Sequence, residues 1–257
     1  MLLVAIIISF LAIGAGLTWF LLVKDQGKKE PVTALWIVAG LGLIGVVAAV
    51  FLEHYLIPAK YLSLVAGSPL PDVFLATLGV GAIEECCKFL PSAFFLYKRK
   101  FFRDHVDGVI FFAIAGLAFG IPENILYTAQ FGAKTGLVRI FMDPIFHATT
   151  TAMVGYFLGK SKVDGKPLYK SGLALLAAIM LHAMYDFGLF SRNIFLVMIS
   201  VIITGVLAAS LFLFFMRAKE LDRQEGLVAI GHNNFCRHCG QANPNHNLFC
   251  TRCGAHA

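Results

Sequence analysis

Residues Val73 to Tyr97 read VFLATLGVGAIEECCKFLPSAFFLY. The run is long and apolar enough to cross a hydrocarbon layer of about 30 Å as one helix, yet Glu84, Glu85 and Lys88 stand near its middle. A charged side chain at such a depth costs at least about 2.5 to 3.5 kcal/mol on insertion scales, so it persists where it is paired or used. This one stretch therefore predicts a helical membrane protein with a polar interior.

Working outward, comparable runs cover Leu2 to Val23, Thr33 to Leu52, Val109 to Phe131, Arg139 to Gly159, Ser171 to Phe190 and Ile194 to Met216. The fold class is all-α, a polytopic bundle of about seven transmembrane helices. Composition agrees: 58% of the 257 residues are hydrophobic and 14% charged, against roughly 45–50% and about 25% in soluble domains. At about 20 apolar residues per span, little remains for a water-soluble core. Residues 1–216 read as the membrane domain, with a loop or re-entrant segment over Pro58 to Asp72. The first span has neither a basic lead-in nor a convincing small-residue cleavage site, so it reads as an anchor.

The net charge of +6 comes from 21 Lys and Arg scattered in short clusters. No basic face exists for nucleic acid. Loops with Lys24, Lys28 and Lys29, then Lys98, Arg99, Lys100 and Arg103, then Lys160, Lys162, Lys166 and Lys170, alternate with loops holding Lys60, then Lys134 and Arg139, then Arg192. The richer loops face the cytoplasm by the positive-inside rule, which puts the N-terminus outside and the tail from Arg217 inside.

The middle helices hold further ionisable groups: Glu123 in the fourth, Asp143 and His147 in the fifth, His182 and Asp186 in the sixth. Lys88 is at i+4 from Glu84 and i+3 from Glu85, so it can neutralise a carboxylate on its own face. Phe119, Glu123 and Tyr127 form an i, i+4 row beside Pro122, as do Asp143 with His147 and His182 with Asp186. Counting at about 1.5 Å per residue from the outer ends, Glu84 lies roughly 17 Å deep, Glu123, His147 and His182 roughly 10 to 12 Å, and Asp186 roughly 6 Å. These depths predict one polar layer in the outer half of the membrane. Adjacent carboxylates beside a lysine suit a general base for water, and two histidines with further carboxylates suit a catalytic metal or an oxyanion. Water-activated hydrolysis fits best; a structural polar core and an ion path are the alternatives. Cys86 and Cys87 read as small buried hydrophobes. The pairs Gly116 with Gly120 and Gly155 with Gly159 read as close helix packing.

After a linker over 217–234, residues 235–257 carry Cys236-Arg-His-Cys239 and, ten residues on, Cys250-Thr-Arg-Cys253. Two such knuckles offer four thiolates to one tetrahedral zinc, and a reducing compartment disfavours disulfides. The pattern resembles small zinc ribbons: structural, closed to catalysis, and suited to a cytosolic protein partner. His238 and His246 read as surface residues.

Taken in order, Glu84-Glu85-Cys86-Cys87-Lys88 is E-E-x-x-K, Phe119 to Glu123 is F-x-x-x-E, and His182 to Asp186 is H-x-x-x-D, with His147 on the helix between. Over roughly Val73 to Phe190 this resembles the PrsW family of intramembrane proteases, distant relatives of the type II CAAX prenyl endopeptidases. The resemblance implies a prokaryotic membrane endopeptidase that cuts membrane-anchored proteins on the extracytoplasmic side, as with an anti-sigma factor in a stress response. It implies that Glu84 and Glu85 include the base, that Lys88 pairs with them, and that Glu123, His147 and His182 activate water or bind a metal, zinc by expectation. Asp186 would orient His182 or join an oxyanion site. The prenyl endopeptidases have histidine where this chain has Glu123, so their water-activation scheme does not transfer directly. A non-enzymatic sensor or scaffold working through its ribbon is the competing reading.

Overall fold

Each apolar run becomes one helix: α1 Leu2–Lys24, α2 Val32–Leu56, α3 Leu70–Tyr97, α4 His105–Phe131, α5 Ala133–Val163, α6 Tyr169–Phe190 and α7 Ile194–Gln224. This computed structural model describes residues 2–25, 29–58, 68–191, 193–227 and 252–253, and among them there is no strand. By length and composition α1, α2, α4, α6 and α7 can cross a membrane. Helices α3 and α5 are as long, at 28 and 31 residues, but fall short of that measure because Glu84, Glu85 and Lys88 interrupt α3 and Asp143, Pro144, His147 and Thr149 to Thr151 interrupt α5.

Most helices run a few residues past the apolar runs, and three of these boundaries change an assignment of the sequence reading. Helix α3 starts at Leu70, so Leu70 to Asp72 form its first turn rather than a loop. Helix α5 starts at Ala133, which puts Arg139 inside the helix and not in an outer loop. Residues 217–224, read as linker, continue α7; the reason is that the apolar stripe runs on through Ala218 and Leu221, both buried.

Helix α4 is the hub, buried along most of its length and packed on α1, α2, α3, α5 and α7. Its tightest neighbour is α5, and glycine makes the approach possible. A Cβ built on Gly120 would stand 2.5 Å from Cδ2 and 2.7 Å from Cγ of the His147 ring. Gly108 and Gly155 face each other backbone to backbone lower down. The small-residue pairs are therefore packing devices, as their spacing suggests.

The basic loops collect at one end of the bundle. Lys162 Nζ donates to the Arg99 carbonyl at 2.6 Å, joining the α5–α6 and α3–α4 connections. The first N–H groups of α4, which have no intrahelical acceptor, are all met there. Asp222 of α7 accepts from the His105 and Val106 amides at 2.7 and 3.0 Å. Asp104 and Asp107 form a reciprocal capping box, a helix-starting device that also places negative charge at the positive end of the dipole. His105 bridges Asp222 (Nδ1, 2.6 Å) and Asp164 (Nε2, 2.8 Å). Burial, helped by nearby Asp222 and Asp25, pushes the Asp104 carboxyl up to about 6. Burial acts the same way on Asp164, but hydrogen bonds from His105, Lys166 and Lys160 prevail and hold it well below the usual carboxylate range.

Candidate active site

Helix geometry carries the ionisable residues of α3, α4, α5 and α6 into one interior cluster. Glu84, Glu85, Lys88, Glu123, His147, His182 and Asp186 are all buried. They lie in the half of the bundle away from the basic end: from His105 to Glu123 is about 27 Å of helix at 1.5 Å per residue.

Lys88 is fully enclosed, at 0% exposure. Its Nζ reaches Glu85 Oε1 at 2.8 Å, Glu84 Oε2 at 3.3 Å and His147 Nδ1 at 2.9 Å. An ammonium only donates, so Nδ1 of His147 accepts and its Nε2 carries the ring proton in this arrangement. That Nε2 forms an ion-pair contact with Glu123 Oε2 at 3.1 Å, and among the described residues Glu123 Oε2 has no hydrogen bond beyond that contact.

The two neighbouring glutamates have different surroundings. Glu85 Oε1 accepts from Lys88, from His182 Nδ1 at 2.8 Å and from Thr150 Oγ1 at 3.3 Å. Glu84 Oε2 has only the longer Lys88 contact and His182 Nε2 at 3.6 Å. Asp186 Oδ2 sits 3.4 Å from His182 Nε2, one turn on. Thus His182 has one nitrogen on Glu85 and the other between Glu84 and Asp186.

Residues the sequence reading had not placed in the site join it. Arg139 donates to Glu123 Oε1 at 2.8 Å and to Asn124 Oδ1 at 2.6 Å, and pairs with Asp143. Asp143 also accepts from the Tyr185 hydroxyl, and the Arg139 guanidinium lies 3.9 Å from the Tyr127 ring centre. The i, i+4 spacing of Arg139, Asp143 and His147 was the available signal. It was obscured because Arg139 opens the apolar run and so resembles a flanking loop charge. Glu53 of α2, half-buried, feels the charges of Glu123, His182 and Asp186. Cys86 and Cys87 are half-buried rather than core residues; they line an apolar groove with Leu52, Ile83, Leu90 and Pro91.

Ligand-capable atoms of Glu84, Glu123 and His147 all lie within 4.8 Å of one another. Two carboxylate oxygens and one imidazole form a donor set that fits zinc with an open position, and Glu123 Oε2, which faces His147 Nε2, is placed to ligate. Ligation through His147 Nε2 would require the ring proton on Nδ1, so Lys88 would then serve the carboxylates alone. Of the tail ligands, Cys236, Cys239 and Cys250 lie outside the described residues, and Cys253 is exposed.

A polytopic helical bundle enclosing glutamates, histidines and a lysine places this chain among integral membrane proteins with a functional polar interior. The more particular assignment comes from comparison: the family described as PrsW family intramembrane metalloprotease matches residues 30–216, and the chain belongs to it. Protease PrsW of Bacillus subtilis (strain 168) is 30% identical over 185 residues, covering 71% of this chain and 82% of that one. The Geobacillus kaustophilus protein of the same name is 27% identical over 190 residues, 74% and 81% of the two chains. That of Clostridioides difficile (strain 630) is 26% identical over 188 residues, 70% and 77%. No solved structure matches. The family match stops at residue 216, before the cysteine pairs.

Proposed function

We propose that this chain is an endopeptidase that hydrolyses peptide bonds of membrane-anchored proteins, with Glu84 as the general base. The observation that carries this is the unequal setting of the two glutamates: Glu85 is occupied by three donors through one oxygen, whereas Glu84 faces Glu123 and His147 with its valence largely open. A base must have room to take a proton. Glu85 and Lys88 then act as the fixed counter-charges that orient His182 and His147.

In the reaction, Glu84 accepts a proton from water as the water oxygen bonds to the scissile carbonyl carbon. His182, oriented by Glu85 and Asp186, donates to the developing oxyanion. The tetrahedral intermediate collapses as the C–N bond breaks and Glu84 returns its proton to the leaving nitrogen, giving a carboxylic acid and an amine, and the acid's proton then passes to the amine to leave a carboxylate and an ammonium. A metal at this site would be held by Glu123, His147 and one oxygen of Glu84, leaving the other Glu84 oxygen to act as the base, and it would supply Lewis acidity to water or carbonyl.

The gathering of the basic loops at the end remote from the cluster favours a cytoplasmic location for that end and an extracytoplasmic site. This supports cleavage near the outer face, of which an anti-sigma-like single-span protein is the substrate type implied by the family. The four tail cysteines would hold a structural zinc and offer a cytosolic partner a docking module. Deletion of residues 235–257 tests that role, which fails if partners, abundance and activity are all unchanged.

The decisive experiment compares cells carrying the wild-type chain with cells carrying Glu84→Gln and Glu85→Gln, using mass spectrometry of new N-termini in membrane proteins. The expected result is a terminus near the outer face of a single-span protein, present only with the wild type. Equal amounts of both proteins with no differing fragment under several stresses would instead favour a scaffold acting through its tail.

A further inference from the structure

We infer that Arg139 is the positioning residue that aims Glu123 at the reaction centre; the inference rests on the peptidase reading above. Arg139 stands on the second turn of α5 and is 5% exposed. A buried guanidinium needs a counter-charge, and Asp143, one turn on along the same helix, already supplies one. Asp143 is itself tied to α6 by the Tyr185 hydroxyl. Yet Arg139 makes three further contacts, all to α4: Glu123 Oε1 at 2.8 Å, Asn124 Oδ1 at 2.6 Å and the face of Tyr127 at 3.9 Å. Charge balance does not require them. What they specify is where the Glu123 carboxylate lies and how it is turned.

The consequence is an unsymmetrical carboxylate. With Oε1 taken by Arg139, Oε2 is the oxygen turned to His147 Nε2 at 3.1 Å, and among the described residues it has no hydrogen bond of its own. Arg139 thus does for Glu123 and Asp143 what Lys88 does for Glu84 and Glu85, each cation fixing two carboxylates. The job requires arginine. A planar fork can serve Glu123 and Asn124 through separate nitrogens while its face stacks on Tyr127, which a lysine ammonium cannot do.

The test uses full-length protein in cells and in detergent. New membrane-protein N-termini are compared among wild type, Glu84→Gln, Arg139→Lys and Arg139→Ala, and the single-span protein so identified is then used for kinetics. For Arg139→Lys, the inference expects normal folded abundance, kcat lowered at least about tenfold and KM within about twofold, the range seen when a supporting residue is lost. For Arg139→Ala it expects about a hundredfold loss or more, partly restored by millimolar ethylguanidinium, which does not restore Glu123→Gln. Wild-type kcat in Arg139→Lys, a loss matched by an equal fall in folded protein, or folded Arg139→Ala unresponsive to ethylguanidinium each overturns the role of Arg139 while leaving the peptidase reading in place. A wild-type chain that releases no fragment overturns both.

Discussion

At the basic end, Asp222 accepts from two backbone amides and His105, Asp107 accepts from the Arg103 and Asp104 amides, and Asp164 is surrounded by His105, Lys160 and Lys166. In the other half, Glu84 and Glu123 are buried with fewer donors, and among the described residues Glu123 Oε2 has no hydrogen bond beyond its contact with His147. Both regions bury acidic groups beside cations. They differ in remaining valence: saturated carboxylates hold helices together, whereas a buried oxygen kept open is costly unless something else uses it. The contrast separates a structural clasp from the proposed reactive site within one bundle.

That contrast can be broken by mutation, and the largest expected effect is on Glu84. Glu84→Gln should lower cleavage by about 10²–10⁴, the usual contribution of a general base, with little loss of thermal stability in detergent. Glu85→Gln should lower both, because removing the main partner of buried Lys88 leaves an uncompensated charge, a cost of about 3–5 kcal/mol. Equal stability losses in the two variants would end the distinction drawn between the neighbouring glutamates.

Next comes Gly120→Ala. The added methyl must displace the His147 ring, so kcat should fall by about 10² for a misplacement of about 1 Å, while the protein still reaches the membrane. Asp222→Ala acts at the other end. Unfolding of α4's first turn should become easier by about 1–2 kcal/mol, as on losing a helix cap, read by hydrogen exchange at His105 and Val106, with activity per folded molecule unchanged.

The smallest effect is that of Asp164→Asn, a fall of about 2–4 °C in Tm at neutral pH, what about 1 kcal/mol produces in a domain of this size. The sign with pH follows from a carboxyl whose folded pKa is depressed. Its stabilisation is fully present above the unfolded value near 4 and is lost as pH falls through the lower folded value. Wild type and variant should therefore converge in acid, and a difference that widened there would contradict the assigned ion pairs.

Much of this was legible along the chain. The seven helices follow from apolar runs, and the rows Glu84 with Lys88, His182 with Asp186 and Asp143 with His147 follow from the 3.6-residue period, which is a local property. The placement of these three rows and Glu123 in one layer followed from helix direction and rise. Arg139 was misplaced because hydropathy marks where a run ends but not where the helix begins. The extension of α7 past Met216 was hidden because polar residues share its last turns with Ala218 and Leu221.

The sequence by itself determined the fold class, the family resemblance and the set of candidate site residues, because these depend on composition and spacing within single helices. Only the tertiary structure decided how those residues are shared out: Lys88 to Glu84, Glu85 and His147, Arg139 to Glu123 and Asp143, and Asp222 to the start of α4. Such pairings join residues up to 117 positions apart. They are set by how closely helices approach and turn, which glycine contacts such as Gly120 on His147 fix and no local pattern records.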